Sequence, residues 1–414
     1  MLVENRSFTS PIGLDAYIPD KLPHYDDKNH LIVDHAPALK YDFSANFWQH
    51  KNQEMDSRIN RSDCQVVVIA PNRDTNARLL YPLSHKPIGP YPMASTKEEI
   101  FPEGGLDMRV KNESMASSVY IVASIYDERD FGRVIKVADH YRSTLNAQYV
   151  TLVTSYLSTA RQDKNVDRDG NYRSNPIDIR ANIKSLSGLI DRIIAIEPHS
   201  SAAQTFAAEV GIPFAPISTW EVLLNYVLKN EIKFTHELHQ KIIKVDKKML
   251  VGISPDIGRN IANQRIKEKI NIPDVSFEKI RADDETVVVN QLSENKKQLL
   301  KGKIGLMFDD VGSTMKTARE VALKAREGGI KAIIMLLAHL ELAGNWEENI
   351  DLPFLSAIIC TDTHDPIGNY LRAPNIEIIE VMVPLINSLI KADMNGVNFW
   401  TDKKWQKLVL QSKT

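Results

Sequence analysis

Cysteine is scarce in this sequence. Only two cysteines occur among 414 residues, Cys64 and Cys360, and they lie far apart in the chain. Disulfide-stabilised secreted domains and cysteine-based metal sites need several cysteines at short spacings. The sequence therefore indicates neither of them, and we expect a protein of the reducing cytoplasm.

The sequence also lacks a large net charge and long apolar runs. The 51 Lys and Arg residues nearly balance the 53 Asp and Glu residues, so the formal net charge is −2. This balance gives no electrostatic reason to expect a nucleic acid or an acidic membrane as partner. No stretch approaches the roughly 18 apolar residues of a membrane span. The first 25 residues carry charges such as Glu4, Arg6 and Asp15, and have no apolar core typical of a signal peptide.

What is present is an alternation of apolar strands and amphipathic helices. Residues 1–61 show little periodicity and are predicted to form an irregular N-terminal extension. Strands alternating with helices indicate parallel α/β sheets, and two series of similar length predict two similar domains, over 62–220 and 221–414. The predicted strands of the two series are 65–71, 119–125, 149–155 and 190–196, then 249–253, 304–308, 331–338, 355–360 and 376–381. Helices are predicted over 131–145, over 202–210 and after residue 317, and the segment 220–248 is expected to connect the domains.

The most informative segment begins where the apolar strand 304–308 ends. Two adjacent carboxylates, Asp309 and Asp310, come first, and the turn 312–317 leads into a helix. Ligands bind at the carboxyl ends of strands in open α/β sheets. Backbone N–H groups at such a helix start can hold a phosphate, whereas carboxylates accept hydrogen bonds from sugar hydroxyls or help to hold Mg²⁺. The pattern favours a ribose phosphate, and an Asp-rich turn that caps a helix is the alternative.

This segment resembles the ribose-phosphate loop of phosphoribosyltransferases, and most closely that of the ribose-phosphate pyrophosphokinase (phosphoribosyl pyrophosphate synthetase) family. The usual form is Asp-Asp-x-x-Asp-Thr-x-Gly-Thr. In this chain Ser313 replaces the third Asp and Lys316 replaces the Gly. The resemblance implies that ribose 5-phosphate is bound by Asp309, Asp310, Gly312, Ser313, Thr314, Lys316 and Thr317.

Two segments of the first half resemble the ATP-binding parts of the same family. Arg161 and Gln162 follow the strand 149–155 and match the motif Ala-Arg-Gln-Asp-Lys. Without the resemblance, the same residues are typical of a solvated basic loop. Phe101 and Glu103 resemble the family's Phe-Ser-Asp-Gly-Glu segment, which reaches a neighbouring subunit and contacts adenine. The resemblance implies an ATP site that includes all four residues, and a homo-oligomer, either a dimer or a hexamer built of dimers. A polar β-turn is the alternative for the second segment, in which Gly105 replaces the family's second acid.

Two further motifs resemble the family's magnesium ligands. His199 follows the strand 190–196, and a lone His is more often structural than a ligand. The family has Asp-Leu-His-Ala here, and its His helps to bind Mg–ATP. Asp256 lies in a segment that resembles the pyrophosphate loop Ser-Pro-Asp-x-Gly-Gly, with Arg259 in place of the second Gly. The resemblance implies that His199 and Asp256 hold Mg²⁺.

Lys279 and Arg281 match the Lys-x-Arg pair of the family's flexible catalytic loop. By themselves these residues are typical of an ordinary surface segment. Two cations that reach the substrates only when a loop closes would stabilise the charge that develops in the transition state. The resemblance therefore implies catalytic roles for Lys279, Arg281 and His199.

The matching segments follow the family's order from residue 62 to 402. Two later ones are 339–344, which resembles His-Gly-x-Phe-Ser-Gly, and 361–363, which resembles Thr-Asn-Thr. The resemblance implies two phosphoribosyltransferase-like domains, the last strand and helix returning to the first, and a Mg²⁺-dependent transfer of pyrophosphate from ATP to ribose 5-phosphate. One alternative is a non-catalytic, regulatory relative. Another is a phosphoribosyltransferase, which needs only one such domain.

Overall fold

The computed structural model describes the chain in separate ranges. They are residues 24–25, 31–32, 63–69, 91–163, 165, 176–199, 201–233, 242–254, 269–277, 279–281, 287–289, 292–364, 373, 375–399 and 402–405. The chain divides into two compact units. The smaller unit contains residues 1–42, 164–177 and 414, and within it strand β1 (His24–Tyr25) pairs antiparallel with β2 (Leu31–Ile32). The larger unit contains both major sheets.

In the described part of the chain, the first sheet has seven strands in the order β5-β4-β3-β6-β7-β8-β9. Four strands pair parallel in succession from β6 to β9, β3 also pairs parallel with β6, and β4 and β5 form an antiparallel hairpin at the edge. The central strands are buried on both faces, which explains why they appear in the sequence as continuous apolar runs. The strands are β3 (Cys64–Val68), β4 (Met93–Ile100), β5 (Leu106–Lys111), β6 (Ser118–Ile125), β7 (Tyr149–Leu157), β8 (Arg192–Ile196) and β9 (Phe214–Ile217).

Among the described residues, three helices lie between strands of this sheet along the chain: α1 (Glu128–Asp139), α2 (Asp178–Ser185) and α3 (Ala202–Glu209). Helix α1 begins three residues before the predicted helix, because Asp127 and Asp130 form a capping box at its N-terminus. A π-helical turn, His140–Thr144, completes the predicted stretch.

The second sheet is fully parallel in its described strands, in the order β13-β12-β16-β17-β18-β19. Two small antiparallel pairs stand apart from it, β10 (Glu231–Lys233) with β11 (Ile242–Lys244), and β14 (Lys279–Arg281) with β15 (Val287–Val289). The strands of the sheet are β12 (Leu250–Ser254), β13 (Asp274–Ser276), β16 (Ile304–Gly312), β17 (Ala332–Leu340), β18 (Leu355–Thr361) and β19 (Ile376–Ile379).

The helix that follows the last strand of each sheet packs on the other sheet. Helix α4 (Trp220–Lys229) follows the last strand of the first sheet, yet it packs with β12, β16 and β17 of the second. On the opposite face of the second sheet lie α5 (Glu294–Leu300), α6 (Lys316–Glu327) and α7 (Trp346–Ile350). Helix α8 (Met382–Met394) follows β19, and it packs on the first sheet against side chains of β3, β6, β7 and β8.

The α/β fold with parallel sheets and flanking helices is confirmed, and three details differ from the sequence prediction. Asp309 and Asp310 lie inside β16, because this strand continues its pairing with β17 as far as Gly312. Strand β19 pairs with β18 of the second sheet, so of the final strand and helix only α8 packs on the first sheet. The segment 220–248 includes a helix that belongs to the core of the second sheet. Among the described residues, no helix has the length and apolar composition that a membrane span requires.

Candidate active site

The two sheets meet where β8 and β16 end. His199, three residues beyond β8, places its Nδ1 2.5 Å from Oδ2 of Asp310. The imidazole is largely exposed, and the carboxylate is partly buried. The structure therefore brings together the His predicted for Mg–ATP and the Asp pair predicted for ribose.

Local hydrogen bonds are made along the end of β16, just before the turn that leads to α6. The backbone N–H of Asp310 donates to the Asp309 carboxylate at 3.0 Å, and the N–H of Val311 donates to the Asp310 carboxylate at 2.9 Å. Met315 then adopts a left-handed conformation, with φ of 61°, immediately before α6 begins at Lys316. Because Met315 makes the turn, the residue at position 316 has ordinary helical geometry and its side chain is exposed. Lys in place of the family's Gly is therefore tolerated by the backbone.

The segment that follows β17 is hydrogen-bonded to the end of β16, just before this turn. The carbonyl of Gly312 accepts hydrogen bonds from the N–H groups of Glu341 and Leu342, at 3.0 and 3.1 Å. A Cβ at Gly312 would lie 2.5 Å from the end of the Leu337 side chain, so a larger residue here would require that side chain to move. The motif of residues 339–344 thus has a structural task beside the ribose-phosphate loop.

The charge of Asp310 is stabilised by its neighbours. Burial would raise its pKa, but the hydrogen bond and positive charge of His199 and the hydrogen bond involving Asp309 outweigh it, so the pKa of Asp310 is lowered to about 2. The carboxylate is consequently ionised at neutral pH and acts as an acceptor only.

Glu197, two residues before His199, is a buried carboxyl group. Its side chain accepts hydrogen bonds from the Ser218 hydroxyl and from the backbone N–H of Thr219 at 2.6 Å. Burial raises the pKa of Glu197 to about 7, although these hydrogen bonds favour the ionised form, and the charge of Asp310 adds to the rise. Folding thus favours the protonated carboxyl group.

Glu197→Gln is expected to change stability in a pH-dependent manner. Because the folded pKa is above the ordinary value of 4.5, the contribution of Glu197 is fully present below about pH 4.5 and is lost as the pH rises towards about 7. Gln does not titrate, so the variant should gain stability relative to wild type between pH 5 and pH 8, by at most about 3 kcal/mol. Urea unfolding of both proteins at the two pH values measures this. A difference that stays constant with pH would contradict it.

A group of aromatic and imidazole rings also links the sheets. Tyr156 of β7 donates a hydrogen bond to Glu341 beyond β17, and its ring packs edge-on against His339 and His364, with centroids 4.8 and 4.6 Å away. Burial and, to a smaller extent, the neighbouring His339 together lower the pKa of His364 to about 3. These imidazoles are therefore neutral parts of the contact between the sheets.

The other predicted site residues lie in four places. Phe101 and Glu103 occupy the turn of the β4–β5 hairpin, where the Phe101 N–H donates to the Gly105 carbonyl at 2.8 Å. Arg161 ends the 3₁₀ turn after β7, and the Gln162 side chain is exposed. Lys279 and Arg281 are the first and third residues of β14. Asp256 and Arg259 lie outside the described residues.

The described residues do not form a complete metal site. Within the described ranges, no group of three or more His, Cys, Asp or Glu side chains is arranged to hold a metal alone. Mg²⁺ commonly keeps several waters and binds through one or two carboxylates together with substrate phosphates. His199 and Asp310, which are in contact at 2.5 Å, are therefore at most one part of such a set.

Sequence reasoning missed two residues of this site. The sequence patterns gave no role to Glu197, and they indicated His339 only as the first residue of the motif 339–344. The left-handed backbone of Glu197 has no sequence signal, because such conformations are expected at Gly or Asn. For His339, a His at a strand end in register with Val311 of β16 was the available signal.

Known proteins resemble this chain in sequence and in fold. No protein-family model matches the chain. A ribose-phosphate pyrophosphokinase of Saccharolobus solfataricus is 26% identical over 278 residues, which cover 66% of this chain and 85% of the relative. Another from Hyphomonas neptunium is 23% identical and covers 73% and 90% respectively. The crystal structure of phosphoribosylpyrophosphate synthetase from Mycobacterium smegmatis superposes with a TM-score of 0.61 at 19% identity, covering 80% of this chain and 99% of that one.

The paired parallel sheets share the fold of that synthetase structure. The chain is similar to ribose-phosphate pyrophosphokinases, which are enzymes, over 66% to 73% of its length. The resemblance found in the sequence motifs is thereby confirmed.

Proposed function

We propose that this chain transfers the pyrophosphoryl group of Mg–ATP to the C1 hydroxyl of ribose 5-phosphate, giving phosphoribosyl pyrophosphate and AMP. The observation that carries the proposal is the contact between His199 and Asp310, at 2.5 Å. It joins the nucleotide side of the first sheet to the ribose side of the second. The names of the relatives support the same reaction.

On the ribose side, Asp309 and Asp310 accept hydrogen bonds from the sugar hydroxyls, which orients the C1 hydroxyl for attack. The backbone N–H groups between Gly312 and Thr317 lie close to the start of α6, where a 5′-phosphate would be favoured by the helix dipole. Lys316 is exposed at the first helical position and adds a positive charge there. The 5′-phosphate and the sugar hydroxyls are thus recognised by adjacent parts of one segment.

On the nucleotide side, Arg161 and Gln162 contact the polyphosphate, and Phe101 and Glu103 contact adenine. His199 and Asp256 would hold Mg²⁺, which when bound would supply positive charge to the phosphate oxygens. In the reaction the C1 hydroxyl loses its proton to solvent and its oxygen bonds to the β-phosphorus. The bond from that phosphorus to the α–β bridging oxygen breaks, and AMP leaves with that oxygen. Lys279 and Arg281 stabilise the charge on the transferring group.

The hairpin turn that carries Phe101 supports a proposal of self-association. Ile100 and Phe101 are exposed by 73% and 48%, which is unusual for large apolar side chains. We propose that this turn reaches a second copy of the chain and completes its nucleotide site. Light scattering of wild type and Phe101→Ser would report the change in mass.

A non-catalytic, regulatory relative is the second candidate. Departures from the family pattern at Gly105, Arg259, Ser313 and Lys316 favour it. The exposed position of Lys316 at the helix start weakens that argument, since the backbone accommodates the substitution.

Incubation of the purified protein with Mg–ATP and ribose 5-phosphate distinguishes the two functions. We expect AMP, followed by chromatography, to appear only when the sugar phosphate is present, and to be lost in the double variant Lys279→Ala/Arg281→Ala. If both ligands bind and AMP does not form, the regulatory function replaces our proposal.

A further inference from the structure

The inference concerns the backbone of Glu197. This residue has φ of 42°, in the left-handed region, although it carries a side chain. Such a conformation costs about 1–2 kcal/mol for an ordinary L-residue, so the surrounding contacts must hold it in place. Because Glu197 lies two residues before His199, its dihedral angles affect the position of the His199 imidazole.

The first sheet fixes one side of Glu197. The backbone N–H donates to the carbonyl of Ile217 in β9 at 2.7 Å. The carboxylate accepts from the Ser218 hydroxyl at 2.8 Å and from the Thr219 N–H at 2.6 Å, just before α4 begins. These contacts hold the amide and the side chain but leave the direction of the following peptide to another group.

The second sheet supplies that group. Nε2 of His339, in β17, lies 3.0 Å from the carbonyl oxygen of Glu197, and the imidazole is only 1% exposed. A carbonyl oxygen only accepts, so the proton of the neutral ring must be on Nε2. Nδ1 lies 2.8 Å from the Thr363 hydroxyl, whose single proton can be donated either to Nδ1 or to the Ala338 carbonyl at 2.7 Å. The Thr361 hydroxyl also donates to the Ala338 carbonyl, at 2.6 Å, so this acceptor is satisfied when Thr363 donates to Nδ1.

The tautomer and the orientation of His339 are therefore fixed from both sides. Thr363 holds Nδ1, Tyr156 packs against the ring with a centroid distance of 4.8 Å, and Nε2–H is directed across the boundary between the sheets. The carbonyl that receives this hydrogen bond belongs to the peptide that leads through Pro198 to His199.

We propose that His339 is a positioning residue, which from the second sheet holds the Glu197 carbonyl and thereby sets His199 against Asp310. The inference rests on the proposed function in that His199 serves the bound Mg–nucleotide. His339 touches the backbone that carries His199 and does not touch the ligand itself. Its loss should therefore lower the affinity for Mg–ATP and leave the ribose-phosphate turn unchanged. Binding of Mg–ATP thus depends on the two sheets being correctly joined.

The test compares two variants of His339 in which a side-chain amide takes the place of one of the two ring nitrogens. In His339→Gln the amide nitrogen lies near the position of Nε2 and can still donate to Glu197. In His339→Asn the amide lies near Nδ1, so it keeps Thr363 but loses Glu197. Calorimetric titration should show Mg–ATP affinity lowered about 10-fold or more in the Asn variant and within about twofold of wild type in the Gln variant. Affinity for ribose 5-phosphate should stay within about twofold of wild type in both.

A double-mutant cycle with His199→Ala separates positioning from general damage. If His339 acts through His199, adding His339→Asn to His199→Ala should lower Mg–ATP affinity by no more than about twofold. Equal losses with and without His199, equal effects of Asn and Gln, or a parallel loss of ribose 5-phosphate binding would each overturn the proposal. Should His339→Asn fail to fold, Thr363→Val enters the same cycle, with an expected loss of about threefold.

The cycle measures binding, so its result is separate from that of the AMP assay. Coupling between His339 and His199 in a protein that forms no AMP would support the positioning role and reject the proposed reaction. AMP formation without such coupling would reject the positioning role and support the reaction.

Discussion

His199→Ala is expected to lower AMP formation by about 100-fold or more, the size typical of losing one preorganised charged contact at a reacting phosphate. The imidazole lies 2.5 Å from Asp310, so its removal leaves that carboxylate without the neighbour that lowers its pKa. The loss should appear in kcat and in the KM for Mg–ATP, with a smaller change in the KM for ribose 5-phosphate. Initial rates at varied concentrations of each substrate measure this division.

His140→Ala is the matched control for this prediction. His140 is also a partly exposed imidazole paired with a carboxylate, 2.6 Å from Glu113, but it lies beyond α1. Its replacement should change the rate by less than about twofold, as for an ordinary surface substitution. Equal rates for wild type and His199→Ala, or equal losses in both variants, would remove His199 from the site.

Asp393→Ala is expected to destabilise the protein by about 3–5 kcal/mol, because it leaves a buried cation without its partner. Asp393, near the end of α8, forms an ion pair with Arg192 at the start of β8, and both side chains are buried. The hydroxyl of Tyr120 in β6 also donates to this carboxylate at 2.7 Å. Urea unfolding followed by circular dichroism would measure the loss.

Two comparisons sharpen this result. Glu327→Ala breaks an exposed ion pair with Lys324 and should cost less than about 1 kcal/mol. The double variant Asp393→Leu/Arg192→Met removes both buried charges and should recover most of the stability lost by Asp393→Ala. If the single and double variants are equally unstable, the loss comes from packing of α8 and the ion pair has no special role.

The sequence was most informative where burial is complete. Strands such as β6 and β16 are covered on both faces, so their apolar runs indicated them directly. Their ends were less predictable, because pairing with a neighbour decides how far a strand continues. Asp309 and Asp310 extend β16 for this reason, although carboxylates are rare in strands.

The candidate site was predicted as a set of residues, and its arrangement was not. Motifs named His199 and Asp310 but contained nothing about their contact, which joins positions 111 residues apart. The left-handed backbones of Glu197 and Met315 were also invisible, because tertiary contacts impose them on residues that do not favour them. The packing of α4 on the second sheet and of α8 on the first could not be predicted either. The apolar face of an amphipathic helix does not indicate which sheet the helix will cover.

This packing of α4 and α8 has a consequence for the order in which this chain folds during synthesis. The strands of the first sheet are complete once residue 217 has left the ribosome, but α8, which covers one of their faces, begins only at residue 382. While residues 218–381 are being synthesised, apolar side chains such as Val66, Val122 and Ile194 are not yet covered by α8. The nascent chain must therefore carry an uncovered sheet face through translation of the second half, and this is the stage at which a chaperone would engage it.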